Sequence, residues 1–288
     1  MGLFGLFDKK TCAICGSDIG LLGNRKLEDG NCCKQCAAKL SPWFDERRHS
    51  TVEQIKEQLA YREENQKEVD SFHITRTISA DRWNVLLDED AKKFILTRDP
   101  RKIKEENPDV ISYSDITGCR LDVDENRTEE KQQIKKDDKT EYVSYNPPRY
   151  TYKYDFKYII NVNNPYFDEM KFGLNNTSVD ITPQAAAAAP QAGGNSAAAI
   201  IGGILNAAAN AASTGHVDPH ISPEYVKYEQ IGADITAALT GAQTIVREEK
   251  EAANAAPKIA VCPFCGAQTT VTPDGKCEYC GGYIADKV

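Results

Sequence analysis

Three observations predict an α+β protein: paired cysteines near each end of the chain, a long run of alternating β-branched and aromatic residues between them, and one helical apolar stripe after Pro223. Small zinc ribbons at both ends are expected to flank a central, mostly antiparallel β domain closed by a carboxy-terminal helix. The boundaries read as 1–48 for the amino-terminal ribbon, 49–70 for a connector helix, 71–181 for the β domain, 182–222 for an Ala/Gly-rich insert, 223–256 for the closing helix and 257–288 for the second ribbon.

The first ribbon rests on Cys12-Ala13-Ile14-Cys15 and Cys33-Lys34-Gln35-Cys36. So small a module cannot bury enough apolar surface to offset the entropy of ordering its backbone. Zinc held by four thiolates contributes about 10–16 kcal/mol in comparable small domains, and a two-residue gap lets both sulfurs of a pair face one ion. Gly16 suits the tight turn after Cys15. The competing reading, redox or disulfide cysteines, fits two matched pairs less well than it fits a lone pair. Cys32 makes a fifth cysteine. Cys33 is chosen as the ligand because Cys33 and Cys36 keep the two-residue gap, and Cys32 is left as a spare thiol that zinc and Lys34 would make reactive if it were exposed.

Ser41-Pro42-Trp43-Phe44 closes this module, and Arg47-Arg48-His49 leads to Ser50, which with Glu53 has the form of a capping box. The helix expected from there to Asp70 has a narrow stripe of Val52, Ile55 and Leu59, with Arg62 among the surrounding charges, which predicts a lightly packed spacer. Strands follow at Phe72–Ile78, Trp83–Leu87, Lys93–Thr97, Val110–Tyr113 and Gly118–Asp122. The charged, apolar-poor stretch from Asp122 to Glu141 reads as a solvated hairpin loop or flap. Tyr150–Val162 puts Tyr150, Tyr152, Tyr154, Phe156 and Tyr158 on one face at period two, and Glu169–Leu174 adds a last strand. A strand-rich module capped by one amphipathic helix is the pattern of pleckstrin-homology-like barrels, with the helix covering an open edge or mouth.

Thr182–Ser213 is low in complexity and too rich in Ala and Gly to span a bilayer, so it reads as a loop insertion. After Pro223, a stripe of Tyr225, Tyr228, Ile231, Ile235, Leu239, Ala242 and Ile245 marks the closing helix. The second ribbon uses Cys262, Cys265, Cys277 and Cys280, each knuckle ending in glycine, with a short hairpin turning at Pro273-Asp274-Gly275. Four thiolates also suit iron, and the spacing favours zinc. Two structural zinc ions are therefore expected.

The formal net charge of -8 argues against nucleic acid as the default partner. Ten cysteines without a secretory signal fit metal binding in a reducing cytoplasm. The apolar tip formed by Leu3, Phe4, Leu6 and Phe7 leaves weak membrane contact through residues 1–7 open, although Leu6 breaks the myristoylation pattern begun by Gly2. Histidine is scarce; His216 and His220 have a helical ligand gap that Pro219 interrupts. No phosphate loop, nucleophile elbow or zincin helix is found, and Cys119 reads as a core residue.

The block MGLFGLFDKKTCAICG, IGLLGNRKLEDGN, the later cysteines, KLSPWF and RRHSTVEQIKEQLAYREEN resembles an uncharacterised bacterial family with an amino-terminal zinc-ribbon domain of unknown function. Phrases at Arg127–Lys131, Ser144–Tyr150 and Asn163–Phe167 are similar to full-length members. The resemblance implies zinc at Cys12, Cys15, Cys33 and Cys36, and no activity. Filled metal sites and absent catalytic motifs make a non-enzymatic, cytoplasmic interaction or adaptor protein, with a protein partner, the leading expectation. A nucleic-acid-associated regulator using Trp43 and Arg47-Arg48-His49, and a membrane-surface adaptor, are the alternatives.

Overall fold

The computed structural model describes residues 10–136, 139–182, 218–254, 259–270, 272 and 274–284. The tip at 1–7 and most of the insert expected at 182–222 lie outside them. The chain divides into two compact units, Met1–Gln243 and Thr244–Val288.

In the first unit, β1 (Lys10–Thr11) pairs with β2 (Asp18–Ile19) and β3 (Asn24–Lys26) with β4 (Asn31–Cys33), followed by the one-turn helix α1 (Lys34–Ala37). Ile19, Leu27 and Leu40 join the cysteines in a small core that Ile55 of α2 (Val52–Ser71) completes. The capping box sits one residue later than expected: Thr51 accepts from the Gln54 amide, and the Gln54 side chain accepts from the Thr51 amide. Ser50 is already engaged, donating to the Glu46 carbonyl as it ends the short 3-10 turn Glu46–His49.

Helix α2 is no lightly packed spacer. Its buried stripe is Ile55, Gln58, Arg62, Asn65 and Val69, mostly polar and spaced three and four apart. Arg62 donates to Asp109 at 2.6 Å and also to the carbonyls of Asn107 and Lys39, while Ser41 donates to the other Asp109 oxygen at 2.8 Å. Asn65 donates to the Pro108 carbonyl and accepts from the Val110 amide. One polar knot thereby ties the cysteine module, the helix and the following sheet together. A search for apolar periodicity cannot find it, because its members are charged or amidic.

The strands expected to close a barrel instead divide between two antiparallel sheets, and no closed barrel is present among the described residues. One sheet is the meander β5 (Arg76–Ser79), β6 (Asn84–Asp88), β7 (Lys93–Thr97) and β8 (Val110–Ser112), with α3 (Ile103–Glu106) between its last two strands. Leu86 and Ile95 pack with Val69, Phe72 and Ile103. The other sheet has β10 (Lys139–Val162) at its centre, flanked by β11 (Glu169–Gly173), β12 (Val179–Ile181) and the long β9 (Ile116–Lys136).

The segment Asp122 to Glu141 is thus largely strand rather than loop, since β9 and β10 stay paired out to Lys136 and Lys139. Ladder hydrogen bonds are made by the backbone and do not need apolar side chains. A ribbon exposed on both faces therefore leaves no hydrophobic alternation to read.

Helix α4 (Pro223–Asn254) lies on this second sheet through the expected stripe. Tyr225 meets Tyr154 and Phe156 at ring distances of 4.9 and 5.0 Å, and Tyr158 shares a 2.6 Å hydrogen bond with Thr236. Ile235 and Leu239 are buried, whereas Ile245 is exposed. Gly232 is also part of the contact: a Cβ there would sit 3.0 Å from Leu121.

Asp81, in the β5–β6 turn, anchors the start of this helix by accepting from Tyr228 at 2.7 Å, from Lys227 and from the Asn176 amide. Burial pushes its carboxyl up, but these donors outweigh it and hold the group below the usual carboxylate range. A depressed native pKa stabilises above the unfolded value of about 3.9 and is lost as pH falls through the native value. Asp81→Asn is therefore expected to lose about 1 kcal/mol at pH 7, with the gap to wild type closing below about pH 4. Urea midpoints across that range check it.

Candidate metal centre

Each knuckle is shaped by backbone bonds before any metal is considered. Gly16 donates to the Cys12 carbonyl, Gly266 to Cys262 and Gly281 to Cys277, at 2.9, 2.8 and 2.8 Å. All three glycines have φ of 70 to 72°, the region closed to most side chains. The pair at Cys33 and Cys36 needs no such glycine. Cys33 caps α1, its sulfur accepting from the Cys36 amide at 3.3 Å, so the helical turn itself brings the two sulfurs together.

The sulfurs of Cys12, Cys15, Cys33 and Cys36 all lie within 4.8 Å of one another, as do those of Cys262, Cys265, Cys277 and Cys280. Cys15 and Cys33 are 3.8 Å apart, Cys262 and Cys280 3.6 Å, and Cys265 and Cys277 3.8 Å. A tetrahedral ion with Zn–S bonds of about 2.3 Å requires sulfur separations of about 3.8 Å. Disulfide bonding would need about 2.05 Å. Both groups can therefore hold a metal ion, and both fit zinc.

Within each group the thiols shift in opposite directions. Ser17 hydrogen bonds foremost pull the Cys15 thiol down to about 6, and the Cys280 amide foremost does the same for Cys277. Burial and then the neighbouring thiols push Cys36 up. Four thiolates this close repel one another unless a cation compensates them, and a divalent ion bound by all four does so.

Cys32 stands outside the cage, fully buried, with its thiol donating to the Cys33 carbonyl and pushed up to about 12, chiefly by burial. Burial and a high pKa make it inert rather than reactive. Cys32→Ala is expected to leave metal content unchanged, which elemental analysis checks. Burial likewise pushes Cys119 up to about 11, as suits a structural thiol.

Of the remaining candidates, His216 lies outside the described residues, while His220 meets Asp218 at 2.8 Å and Glu125 at 3.6 Å. Trp43 packs against Trp83 and Arg47 donates to the Lys26 carbonyl, so two residues of the expected nucleic-acid contact have internal partners, while Arg48 and His49 are exposed. Sequence reasoning passed over Phe264 and Tyr279, which precede the second cysteine of each carboxy-terminal knuckle and are 64% and 72% exposed. The signal was there: a module with so small a core has nowhere to bury two such rings. No helix among the described residues is long and apolar enough to cross a membrane.

Fold and sites together define a mixed α+β protein, mostly antiparallel in its sheets, with a four-cysteine group that could hold a metal ion near each end. Residues 11–58, which include the first group and the start of α2, match the family model described as Domain of unknown function (DUF4428), and the chain carries that domain. The match agrees with the resemblance seen in the amino-terminal block; a bacterial source is no part of it. No curated protein and no solved structure matches the chain.

Proposed function

We propose that the protein is a cytoplasmic, non-enzymatic interaction protein whose two cysteine cages hold structural zinc. The observation that supports this reading is the sulfur geometry at both ends: an ion held by all four thiolates would have no coordination position left for water or substrate. Zinc bound in this way serves as a fold staple. The exposed rings of Phe264 and Tyr279 on the carboxy-terminal module offer contact surface of the kind enriched at protein interfaces.

Cobalt substitution tests the structural role. The full chain loaded with cobalt is expected to show a four-thiolate spectrum that excess azide leaves unchanged. A spectrum that shifts with azide would reveal an open position and sink the structural reading. For the partner, capture from native lysate is expected to weaken when Phe264→Ser and Tyr279→Ser are combined at unchanged metal content.

A further inference from the structure

We propose that the groove between the first cysteine cage and α2 binds an extended segment of a partner protein that carries lysine or arginine beside apolar residues. This rests on the reading of the chain as an interaction protein, and it names a site and a chemistry for the partner.

The groove has a volume of about 810 Å³ and lies within the first unit. Ile14, Ala37 and Leu59 give it apolar walls, and Glu63, Glu105 and Glu106 also line it. All three glutamates are exposed, and no ion pair engages them among the described residues. By contrast Glu53, Glu64 and Glu68, which share α2 with Glu63, each have a lysine partner. Two cations also line the groove. Arg62 is consumed by Asp109 and by the Asn107 and Lys39 carbonyls, which leaves the side chain of Lys39 as the single opposing charge among the described lining residues.

Cys15 and Cys36 form part of the wall as well. With a divalent ion bound, four thiolates carry two negative charges in excess of the metal, so the loaded cage adds to the negative field. Apolar walls with acidic lining match a lysine or arginine side chain, whose aliphatic stem packs on hydrocarbon while its head reaches a carboxylate. The same charges disfavour the other occupants. Phosphate groups would face glutamate, and a second copy of this chain would bring its own net charge of -8.

The test uses the full, metal-loaded chain and fluorescence anisotropy of a short dye-labelled peptide alternating lysine and leucine. Its glutamate and leucine counterpart serves as the charge control. Combining Glu63→Lys, Glu105→Lys and Glu106→Lys is expected to weaken the basic peptide at least about tenfold, with metal content unchanged. Combining Glu89→Lys, Asp90→Lys and Asp122→Lys makes the same change in net charge away from the groove and is expected to have little effect. Equal loss in both triple variants, or equal affinity for the acidic peptide, would overturn the proposal. So would complete displacement by spermine at matched charge, since a small polycation would then suffice. If the peptide fails to bind while cobalt remains insensitive to azide, the groove assignment falls and the structural-metal reading stands.

Discussion

Cys33→Ser or Cys277→Ser is expected to lower the bound metal from two equivalents to one, each variant emptying its own cage and sparing the other. The two groups sit in separate compact units, Met1–Gln243 and Thr244–Val288, with no sulfur shared between them. Structural zinc contributes about 10–16 kcal/mol of apparent binding free energy at pH 7 in small zinc modules. Among its described residues the carboxy-terminal module has Cys262, Cys277 and Ile284 as its buried apolar cluster, so loss of its ion is expected to leave little to hold it. Amide exchange in Cys277→Ser should therefore become fast across residues 259–284 and stay slow in the β9–β10 sheet. The amino-terminal module has Leu27, Leu40 and Ile55 besides its cysteines, so Cys33→Ser should loosen it less. Acid should release both ions, because protons compete for the thiolates. Metal analysis with exchange mass spectrometry decides the matter, and a wild-type protein with less than one equivalent under reducing conditions would remove the basis for both cages.

Arg62→Met is expected to destabilise the first unit by about 3–5 kcal/mol, because it leaves a buried carboxylate without its cation. The Arg62 side chain is 6% exposed and that of Asp109 0%. Burial pushes the Asp109 carboxyl up, and Arg62 with the Ser41 hydroxyl pulls it back. Without Arg62, burial acts with less opposition, so the native state keeps a proton that the unfolded chain gives up. Stability of Arg62→Met should accordingly fall as pH rises from the unfolded carboxylate range through the raised native value. Adding Asp109→Leu should recover part of the loss, since replacing both members of a buried pair costs less than orphaning one. Urea midpoints for the two variants at pH 4 and pH 8 measure this. A single variant within about 0.5 kcal/mol of wild type would show that the knot carries no weight.

The clustering of the cysteines was legible in one dimension because knuckle spacing is a local property. Two residues between cysteines and a glycine at Gly16, Gly266 and Gly281 specify a turn with no help from distant residues. The choice of Cys33 over Cys32 followed from the same spacing, and the structure places Cys33 in the cage and Cys32 in the core. The stripe Tyr225, Tyr228, Ile235 and Leu239 was legible because burial of one helix face imposes a period of its own.

What stayed hidden was decided by partners far along the chain. Arg62 looks like any surface charge of a helix until Asp109 and Ser41 are brought to it, which only the docking of α2 against the β8 end of the meander accomplishes. Residues 122–136 carry no hydrophobic alternation, and their strand exists because β10 offers its backbone along the whole length. Likewise the division into two sheets rather than one barrel depends on which strand edges meet. Composition and spacing alone determined the cysteine knuckles and the amphipathic helix, since their forces act over a few residues. Tertiary structure decided the polar knot, the long ribbon and the acidic groove, because charge pairing and ladder hydrogen bonds join groups whose separation in sequence leaves no periodic trace.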